Sequence, residues 1–428
     1  MTLFRGGLFG SSSSSSGIIY YAGSAIEKWK SIYQAAKTTP IVIPMFGDSQ
    51  ETSPGGFGNE VLPALNYNLT KGFGGYTGKV YVKSFGSYGG TSPPADYMLR
   101  GTNAGVYTSN LTGNYLPPNF LPQKMSGTAT TYGAATLLQH NCVDVKSGAG
   151  IPSGLDLFGR GEPFYVDIWA RQYSGSQELT WRYSVQSSNT PTYFNTNLST
   201  GVTSVGLDNA ANGIIKITVG PFQNPTPATT PYNSFVTCAA ALNNGADVLA
   251  LQFRRATGAG GIHVVSSGAG GYRVDSFLTN HGNCGPYLAQ AMDQAGVVFL
   301  HYGANDIYGG YSASTVRSNY EALINALRGA SFFNNANLLV VIFTETPRIN
   351  GTTAQNTQAD LLINELYNLA NNDHNVMIVN TRAMVEARGF TRETGVVFLA
   401  DDVHYNATGA QLVAYVEAEA LRLAGTGS

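Results

Sequence analysis

The hydrophobic positions in the C-terminal third of the chain follow two alternating patterns. Continuous apolar runs of strand length occupy 297–300, 338–343 and 376–379. After the first run, apolar residues recur at helical spacing on one face, formed by Val316, Tyr320, Leu323, Ile324 and Leu327. Buried strands that alternate with amphipathic helices are typical of parallel βαβ units. The pattern therefore predicts an α/β fold with three layers around a doubly wound parallel sheet.

Further elements follow from the same two patterns. Apolar runs at 41–46 and 262–265 predict two more strands. Helical spacing predicts a short helix through Ala25, Trp29 and Ile32, and later helices around Leu362, Leu366 and Leu369, near Met384, and from Thr408 onward. The apolar residues 396–399 predict a last strand.

The middle of the chain has a different period. Apolar and polar residues alternate at 164–168, 179–185, 215–219 and 249–253, with Gly-, Ser-, Asn- and Pro-rich loops between them. Half-buried strands without a long helix predict an antiparallel β-sandwich. Because the α/β pattern begins at Ile41 and resumes at Ile262, we expect the sandwich to be an insertion. The predicted domains are a tether with a short helix at 1–40, an α/β domain at 41–74 and 256–428, and a β-sandwich at 75–255.

The N-terminal residues predict a flexible tether. Residues 1–10 are glycine-rich and are followed by six serines, Ser11 to Ser16. Two interpretations stay open for this segment, an attachment tail that docks onto a larger assembly and a disordered terminus.

Composition excludes several classes of partner. Charged residues make up 12% of the 428 residues and the net charge is −2, against about 25% charged residues in a typical soluble protein. Nucleic-acid binding depends on clustered Lys and Arg, so we expect no nucleic-acid partner. No apolar run approaches the ~18 residues that span a bilayer, so we expect no membrane insertion, and the N-terminus lacks the pattern of a Sec signal peptide. The three cysteines, Cys142, Cys238 and Cys284, are widely spaced and indicate isolated thiols.

Several residues that could support nucleophilic catalysis follow predicted strands. Ser49 lies in Gly47-Asp48-Ser49 directly after the first strand, where its hydroxyl would emerge at the carboxyl edge of the sheet. The glycine loop Ser266 to Gly271 could offer a backbone N–H to an oxyanion. Asn305 follows another strand end and could donate from its side-chain amide, although a helix cap is an equal alternative.

A candidate base and its partner precede the last helix. Asp401 and His404 are three positions apart, which lets a tight turn bring the carboxylate onto Nδ1 and leaves Nε2 free to take a hydroxyl proton. Each motif alone is weak, because short matches of this kind are common.

Together and in this order, the four motifs resemble the SGNH, or GDSL-like, hydrolase family. The resemblance covers about 41–74 and 256–424 and leaves out the middle. It implies that Ser49 is the nucleophile, His404 the base and Asp401 the residue that orients it. It also implies an oxyanion hole built from the Ser49 N–H, the Gly271 N–H and the Asn305 side chain. Such an enzyme needs neither a metal nor an organic cofactor.

Three departures from the family pattern bear on these assignments. Ser266 or Ser267 stands where the family usually has Asn, so Gly270 and Gly268 remain alternatives to Gly271. Gln50 and the residues after it delay the helix that usually follows the nucleophile. Asp402, in place of a small residue, could compete with Asp401 for His404.

The other histidines lack metal-ligand spacing, so we expect no metal site. His301 could line the cleft or be a hydrogen-bonded core residue. Trp169, Trp181 and the tyrosines of the middle region could stack on sugar rings or form the core of a sandwich.

The predicted activity is that of a serine esterase that removes O-acetyl groups from a polysaccharide. The low charge and the Tyr-, Asn-, Ser-, Thr- and Gly-rich composition resemble those of carbohydrate esterases more than those of lipases. Its features resemble those of phage tail-associated deacetylases that act on bacterial surface glycans, which implies an extracellular or virion-associated location and attachment through the N-terminal segment. A homo-oligomer is left open. The alternatives are a lipase or thioesterase for longer acyl chains and a non-catalytic glycan-binding virion protein. A middle domain that binds carbohydrate would suit either glycan-directed role.

Overall fold

The computed structural model describes the chain in separate ranges. The described residues are 9–10, 17–51, 123–124, 129–132, 135–146, 163–172, 179–186, 192–197, 215–223, 233–240, 246–255, 261–268, 271–276, 296–330 and 333–427. Contacts between residues divide the chain into two units, one made of Met1–Ser53, Phe57–Gly75 and Ala259–Ser428, the other of Pro54–Gly56 and Tyr76–Gly258.

Both units contain strands, and the described α-helices lie in the first unit. In chain order the described strands are β1 (Phe9–Gly10), β2 (Ile19–Tyr21), β3 (Pro40–Gly47), β4 (Gln123–Lys124), β5 (Ala129–Tyr132), β6 (Ala135–Lys146), β7 (Pro163–Gln172), β8 (Leu179–Gln186), β9 (Thr192–Asn197), β10 (Ile215–Gln223), β11 (Asn233–Ala240), β12 (Ala246–Arg255), β13 (Gly261–Gly268), β14 (Val297–His301), β15 (Leu339–Phe343) and β16 (Val376–Val379). The described α-helices are α1 (Ala25–Ala35), α2 (Ala304–Tyr308), α3 (Ala313–Arg328), α4 (Thr353–Asn372), α5 (Thr381–Glu386) and α6 (Ala407–Thr426).

The first unit is built on a seven-stranded sheet in the order β1-β2-β16-β15-β14-β3-β13. Strands β13, β3, β14, β15 and β16 run parallel, as predicted. Strand β2 pairs antiparallel with β16, so the sheet is mixed rather than wholly parallel. An antiparallel strand at the edge of an otherwise parallel sheet is common in large α/β folds. The predicted α/β fold is confirmed with this correction.

Helices cover both faces of the sheet. Strand β14 is buried along its whole length, which is expected where helices pack on both sides. On one face, α1 and α6 pack together, and the indole Nε1–H of Trp29 donates to the carbonyl of Leu421 at 2.8 Å. On the other face, α3 and α4 pack together, and the buried side chains of α3 are those of the predicted apolar stripe. The sheet and its two helix layers place the carboxyl ends of the parallel strands along one edge.

The described strands of the second unit form two antiparallel sheets. One has the order β10-β7-β12-β4 and the other β5-β6-β11-β8-β9. The four alternating segments found in the sequence lie in β7, β8, β10 and β12. Antiparallel strands are therefore present where they were expected, while the packing of the two sheets into an inserted sandwich stays a prediction.

Three local predictions were wrong. Residues 396–399 do not form a strand: Gly395–Val397 is a 3-10 turn, and Val396 and Val397 are 69% and 57% exposed. The segment before α1 is not only a tether, since Phe9–Gly10 pairs with β2 in the sheet. The glycine loop begins later than predicted, because β13 continues through Gly268, which pairs with Gly47.

Candidate active site

Ser49 lies at the carboxyl end of β3, between two parallel neighbours. The strand ends at Gly47, and Ser49 opens a 3-10 turn that runs to Glu51. The carboxylate Oδ1 of Asp48 accepts the backbone N–H of Gln50 at 2.9 Å and so closes this turn. The turn leaves Ser49 only 8% exposed, at the rim of the sheet.

Asp401 organises the loop that carries His404. Its Oδ1 accepts the backbone N–H groups of Val403 at 2.7 Å and His404 at 2.6 Å. Its Oδ2 lies 2.8 Å from Nδ1 of His404. The loop is closed further by the Ala400 N–H, which donates to the His404 carbonyl at 2.7 Å. One carboxylate therefore holds both the backbone and the ring of His404, and Asp401 rather than Asp402 makes these contacts.

The two ends of the chain meet at a hydrogen bond between Ser49 and His404. Nε2 of His404 lies 3.0 Å from Oγ of Ser49, across 355 positions in sequence. Burial alone would raise the pKa of Asp401, but the hydrogen bonds from the His404 ring and from the two backbone N–H groups outweigh it and lower that pKa below its usual value. An ionised carboxylate can only accept, so Nδ1 of His404 carries the proton and Nε2 is left to accept from the serine hydroxyl.

Asn305 lies beside the same turn, at the carboxyl end of β14. Its Nδ2 group donates to the carbonyl of Tyr272 at 3.0 Å and to Oδ2 of Asp48 at 3.3 Å. The capping alternative is wrong, because Gly303 is the N-cap of α2 and Asn305 lies inside the helix. The amide of Asn305 thus joins the nucleophile turn to the loop after β13.

Gly271 lies in that loop, next to the residue whose carbonyl Asn305 holds. Its φ is +74°, in the left-handed region that glycine adopts without strain. A Cβ built there would meet no atom of the described residues within 4 Å. Of the three candidate glycines, Gly268 lies in β13 and Gly270 falls outside the described residues. The structure therefore joins Asp401, His404 and Ser49 by hydrogen bonds. It holds Asn305 against Asp48 and Tyr272, which directly adjoin Ser49 and Gly271 in sequence.

Asp306 anchors the same loop from below. It is fully buried, and both of its carboxylate oxygens lie 3.2 Å from the backbone N–H of Val274. Burial raises the pKa of Asp306 to about 7, against the pull of the Val274 hydrogen bond, and the carboxylates of Asp275 and Glu345 raise it further. A carboxyl group in this position fixes the loop three residues after Gly271.

Asp48 is the second buried carboxyl group near Ser49. Burial raises the pKa of Asp48 to about 7, and the nearby Glu345 carboxylate acts in the same direction. Arg348, the Gln50 N–H and His301 act in the opposite direction. His301 is 1% exposed, as expected for the core-histidine alternative.

Asp48 and Asp306 have structural roles that were missed in the sequence. Each directly adjoins a residue that was singled out, Ser49 in one case and Asn305 in the other. A carboxylate next to a candidate residue at a strand end could have drawn attention to both.

Among the described residues, no group of three or more His, Cys, Asp or Glu side chains is arranged to hold a metal ion. A search of that same part of the chain finds no helix long and apolar enough to cross a membrane.

A family model of the GDSL-like lipases and acylhydrolases matches residues 222–412. This part of the chain is similar to the GDSL-like hydrolases. The matched stretch contains Asn305, Asp401 and His404, whereas Ser49 precedes it. The match supports an ester hydrolase of the SGNH type. No curated protein matches the sequence.

Solved structures resemble this chain at low sequence identity. One, a peptidoglycan O-acetylesterase, aligns over 96% of this chain and 100% of its own with a TM-score of 0.59 and 15% identity. A lipolytic G-D-S-L family protein from Veillonella parvula covers 37% of this chain and 79% of its own at a TM-score of 0.30 and 21% identity. An acetylxylan esterase from Geobacillus stearothermophilus covers 38% of this chain and 73% of its own at a TM-score of 0.29 and 16% identity. The first of these likenesses shows a shared fold.

Proposed function

We propose that this chain is a serine esterase that removes O-acetyl groups from a polysaccharide, with Ser49 as the nucleophile. The observation that carries the proposal is the hydrogen-bonded series from Asp401 through His404 to Ser49, with spacings of 2.8 and 3.0 Å. Nucleophile, base and orienting acid within hydrogen-bond reach are the requirement for activating a serine hydroxyl.

In the proposed mechanism, Nε2 of His404 takes the Ser49 proton while Oγ attacks the acetyl carbonyl. The carbonyl oxygen becomes an oxyanion, which the Ser49 and Gly271 N–H groups and the Asn305 side chain would stabilise. The resulting imidazolium gives its proton to the departing sugar hydroxyl. Water, activated by the same imidazole, then hydrolyses the acetyl-enzyme and restores Ser49. Asp401 stays ionised throughout and stabilises the imidazolium.

Two observations support an acetylated glycan as substrate. The structural neighbour that aligns over 96% of the chain is described as acting on the O-acetyl groups of peptidoglycan. The chain itself has 25 tyrosines and only 12% charged residues, a composition suited to neutral sugar surfaces. We therefore include bacterial surface polysaccharide in the proposal.

Purified protein tests the proposed activity directly. Acetate release from O-acetylated polysaccharides, followed by the loss of acetyl resonances in NMR spectra, is expected together with turnover of p-nitrophenyl acetate. Esters of eight or more carbons should be poorer substrates, and a preference for them would indicate a lipase instead.

Two variants test the role of Ser49. Ser49→Ala should abolish turnover without loss of the fold. Ser318→Ala is a matched control, because its hydroxyl is exposed and bonds only to the Ser314 carbonyl of α3. Turnover by folded Ser49→Ala at the rate of the control would rule out Ser49 as the nucleophile.

We extend the proposal to an extracellular or virion-associated location, supported by the serine tract at 11–16 and by the proposed substrate. Mass spectrometry of purified virions from a producing culture tests it. Detection of the chain only in the virion-free supernatant would contradict the virion part of the proposal.

A further inference from the structure

Gln50, the residue directly after Ser49, reaches across to the loop that carries His404. Its Nε2–H donates to the carbonyl of Val403 at 2.6 Å, and its Oε1 accepts the backbone N–H of Tyr405 at 3.4 Å. The residue is 3% exposed. One side chain therefore holds the peptide groups on both sides of His404.

Most other hydrogen bonds described around His404 stay within its own loop. The His404 N–H donates to Asp401, and its carbonyl accepts from Ala400. These bonds shape the loop, but they do not set its distance from the nucleophile. The Tyr405 hydroxyl lies 2.8 Å from Oγ1 of Thr346, which fastens the far side of the loop to the end of β15. Gln50 supplies two bonds between the loop and the nucleophile turn itself.

The backbone of Gln50 is fixed just as firmly on the other side. Its N–H donates to Oδ1 of Asp48, and Oδ2 of Asp48 accepts from Asn305. A continuous series of hydrogen bonds thus runs from Asn305 through Asp48 and Gln50 to the peptide groups around His404. This series joins the candidate oxyanion donor, nucleophile and base through side chains buried beneath them.

We propose that Gln50 is a positioning residue that keeps the imidazole of His404 aligned with the Ser49 hydroxyl. The inference rests on the proposed roles of Ser49 and His404. Proton transfer requires hydrogen-bond geometry between the two groups, and a displacement of about 1 Å can lower a rate ~10²-fold. Because 355 positions separate them, local chain geometry cannot supply that alignment.

Gln50→Met tests the proposal, since it keeps the length and volume of the side chain and removes both hydrogen bonds. With p-nitrophenyl acetate, kcat should fall about 10- to 100-fold, while KM changes by less than about threefold, because Gln50 does not contact substrate in this role. Sulfonylation of Ser49 by phenylmethanesulfonyl fluoride should slow in parallel, since the same base activates the hydroxyl.

Gln358→Met is the matched control. The Oε1 atom of Gln358 accepts the backbone N–H of Ala313 at 2.9 Å, away from the site. Its loss should lower the thermal unfolding temperature without changing kcat or the labelling rate. If Gln50→Met behaves in the same way, with a shifted unfolding temperature and unchanged kcat, Gln50 is merely structural and the proposal is overturned.

A second variant covers the case in which Gln50→Met does not fold. Gln50→Glu keeps the shape and the acceptor for the Tyr405 N–H, but its carboxylate cannot donate to Val403. A folded Gln50→Glu protein with wild-type kcat and labelling rate would also overturn the proposal. The labelling assay needs no glycan, so it decides the role of Gln50 even if the wild-type protein releases no acetate from any polysaccharide, a result that would count against the proposed function alone.

Discussion

Replacing Asp401 by Asn should be far more damaging than the similar shape of the two side chains suggests. Oδ1 of Asp401 accepts two backbone N–H groups, at 2.7 and 2.6 Å. In Asp401→Asn the side-chain carbonyl must take that position, because an NH₂ group there would face two donors. The NH₂ group is then directed at Nδ1 of His404, which lies 2.8 Å from the present Oδ2.

The consequence is a change of tautomer in the imidazole. Nδ1 has to accept the amide proton, so Nε2 carries the ring proton and donates to Ser49 instead of accepting from it. A base that is already protonated at Nε2 cannot activate the hydroxyl. Where a triad histidine is held in the wrong tautomer, kcat falls about 10⁴-fold, which corresponds to ~5.5 kcal/mol of transition-state stabilisation.

The assay is kcat for p-nitrophenyl acetate hydrolysis by the wild type, Asp401→Asn and a control, Asp402→Asn. The control removes the exposed neighbouring carboxylate, which does not hold the ring, and should keep kcat within about twofold of the wild type. Circular dichroism checks that both variants fold. Retention of more than about a tenth of wild-type kcat by Asp401→Asn would refute the tautomer argument. A larger loss of kcat in Asp402→Asn than in Asp401→Asn would show that Asp402, rather than Asp401, orients the ring.

Three further predictions concern the donor side of the site and the fold. If Asn305 donates to the oxyanion as proposed, Asn305→Ala should lower kcat about 10²- to 10³-fold with little change in KM. Equal kcat values for the variant and the wild type in stopped-flow and steady-state assays would contradict this. Asp306→Asn should change the pH dependence of stability, because the pKa of Asp306 is about 7 in the folded protein against an ordinary value of 3.8. Between these values the folded wild type keeps a proton that the unfolded chain loses. Its free energy of unfolding should therefore fall relative to the variant by up to ~4 kcal/mol as pH rises from about 4 to above 7. Urea titrations over that range that gave a constant difference would show that Asp306 does not titrate in this way. Trp29→Phe should cost about 1–3 kcal/mol of unfolding free energy, because it leaves the buried Leu421 carbonyl without its 2.8 Å donor; an unchanged urea midpoint would contradict that estimate.

Much of the α/β unit could be predicted because its signals are periodic and local. The apolar stripe through Val316 and Leu327 has the helical period, and both residues are buried in α3. The antiparallel strand β2 was missed because three residues, Ile19–Tyr21, are too few to show a period. The opposite error occurred at 396–399, where an apolar run suggested a strand although two of its valines lie at the surface.

The site was predictable to the extent that its residues follow strand ends. Ser49 and Asn305 follow adjacent parallel strands, and such ends share one edge of the sheet. The helper residues were not predictable in this way. Gln50 has no motif of its own, and its partner Val403 lies 353 positions away. Contacts of that kind depend on the tertiary fold and leave no pattern in the local sequence.

The order of strands in the sheet has a consequence for how the enzyme could be divided. Strand β3, which leads to Ser49, lies between β13 and β14 in the sheet. In sequence, the middle segment Tyr76–Gly258 separates β3 from both of these neighbours. A cut within that segment would leave Ser49, the proposed nucleophile, on one fragment, and Asp401 and His404 on the other. Each fragment alone would be inert, and esterase turnover would return only when β3 docks as a central strand of its partner fragment. The architecture thus makes this chain a natural starting point for a split-enzyme reporter of protein association.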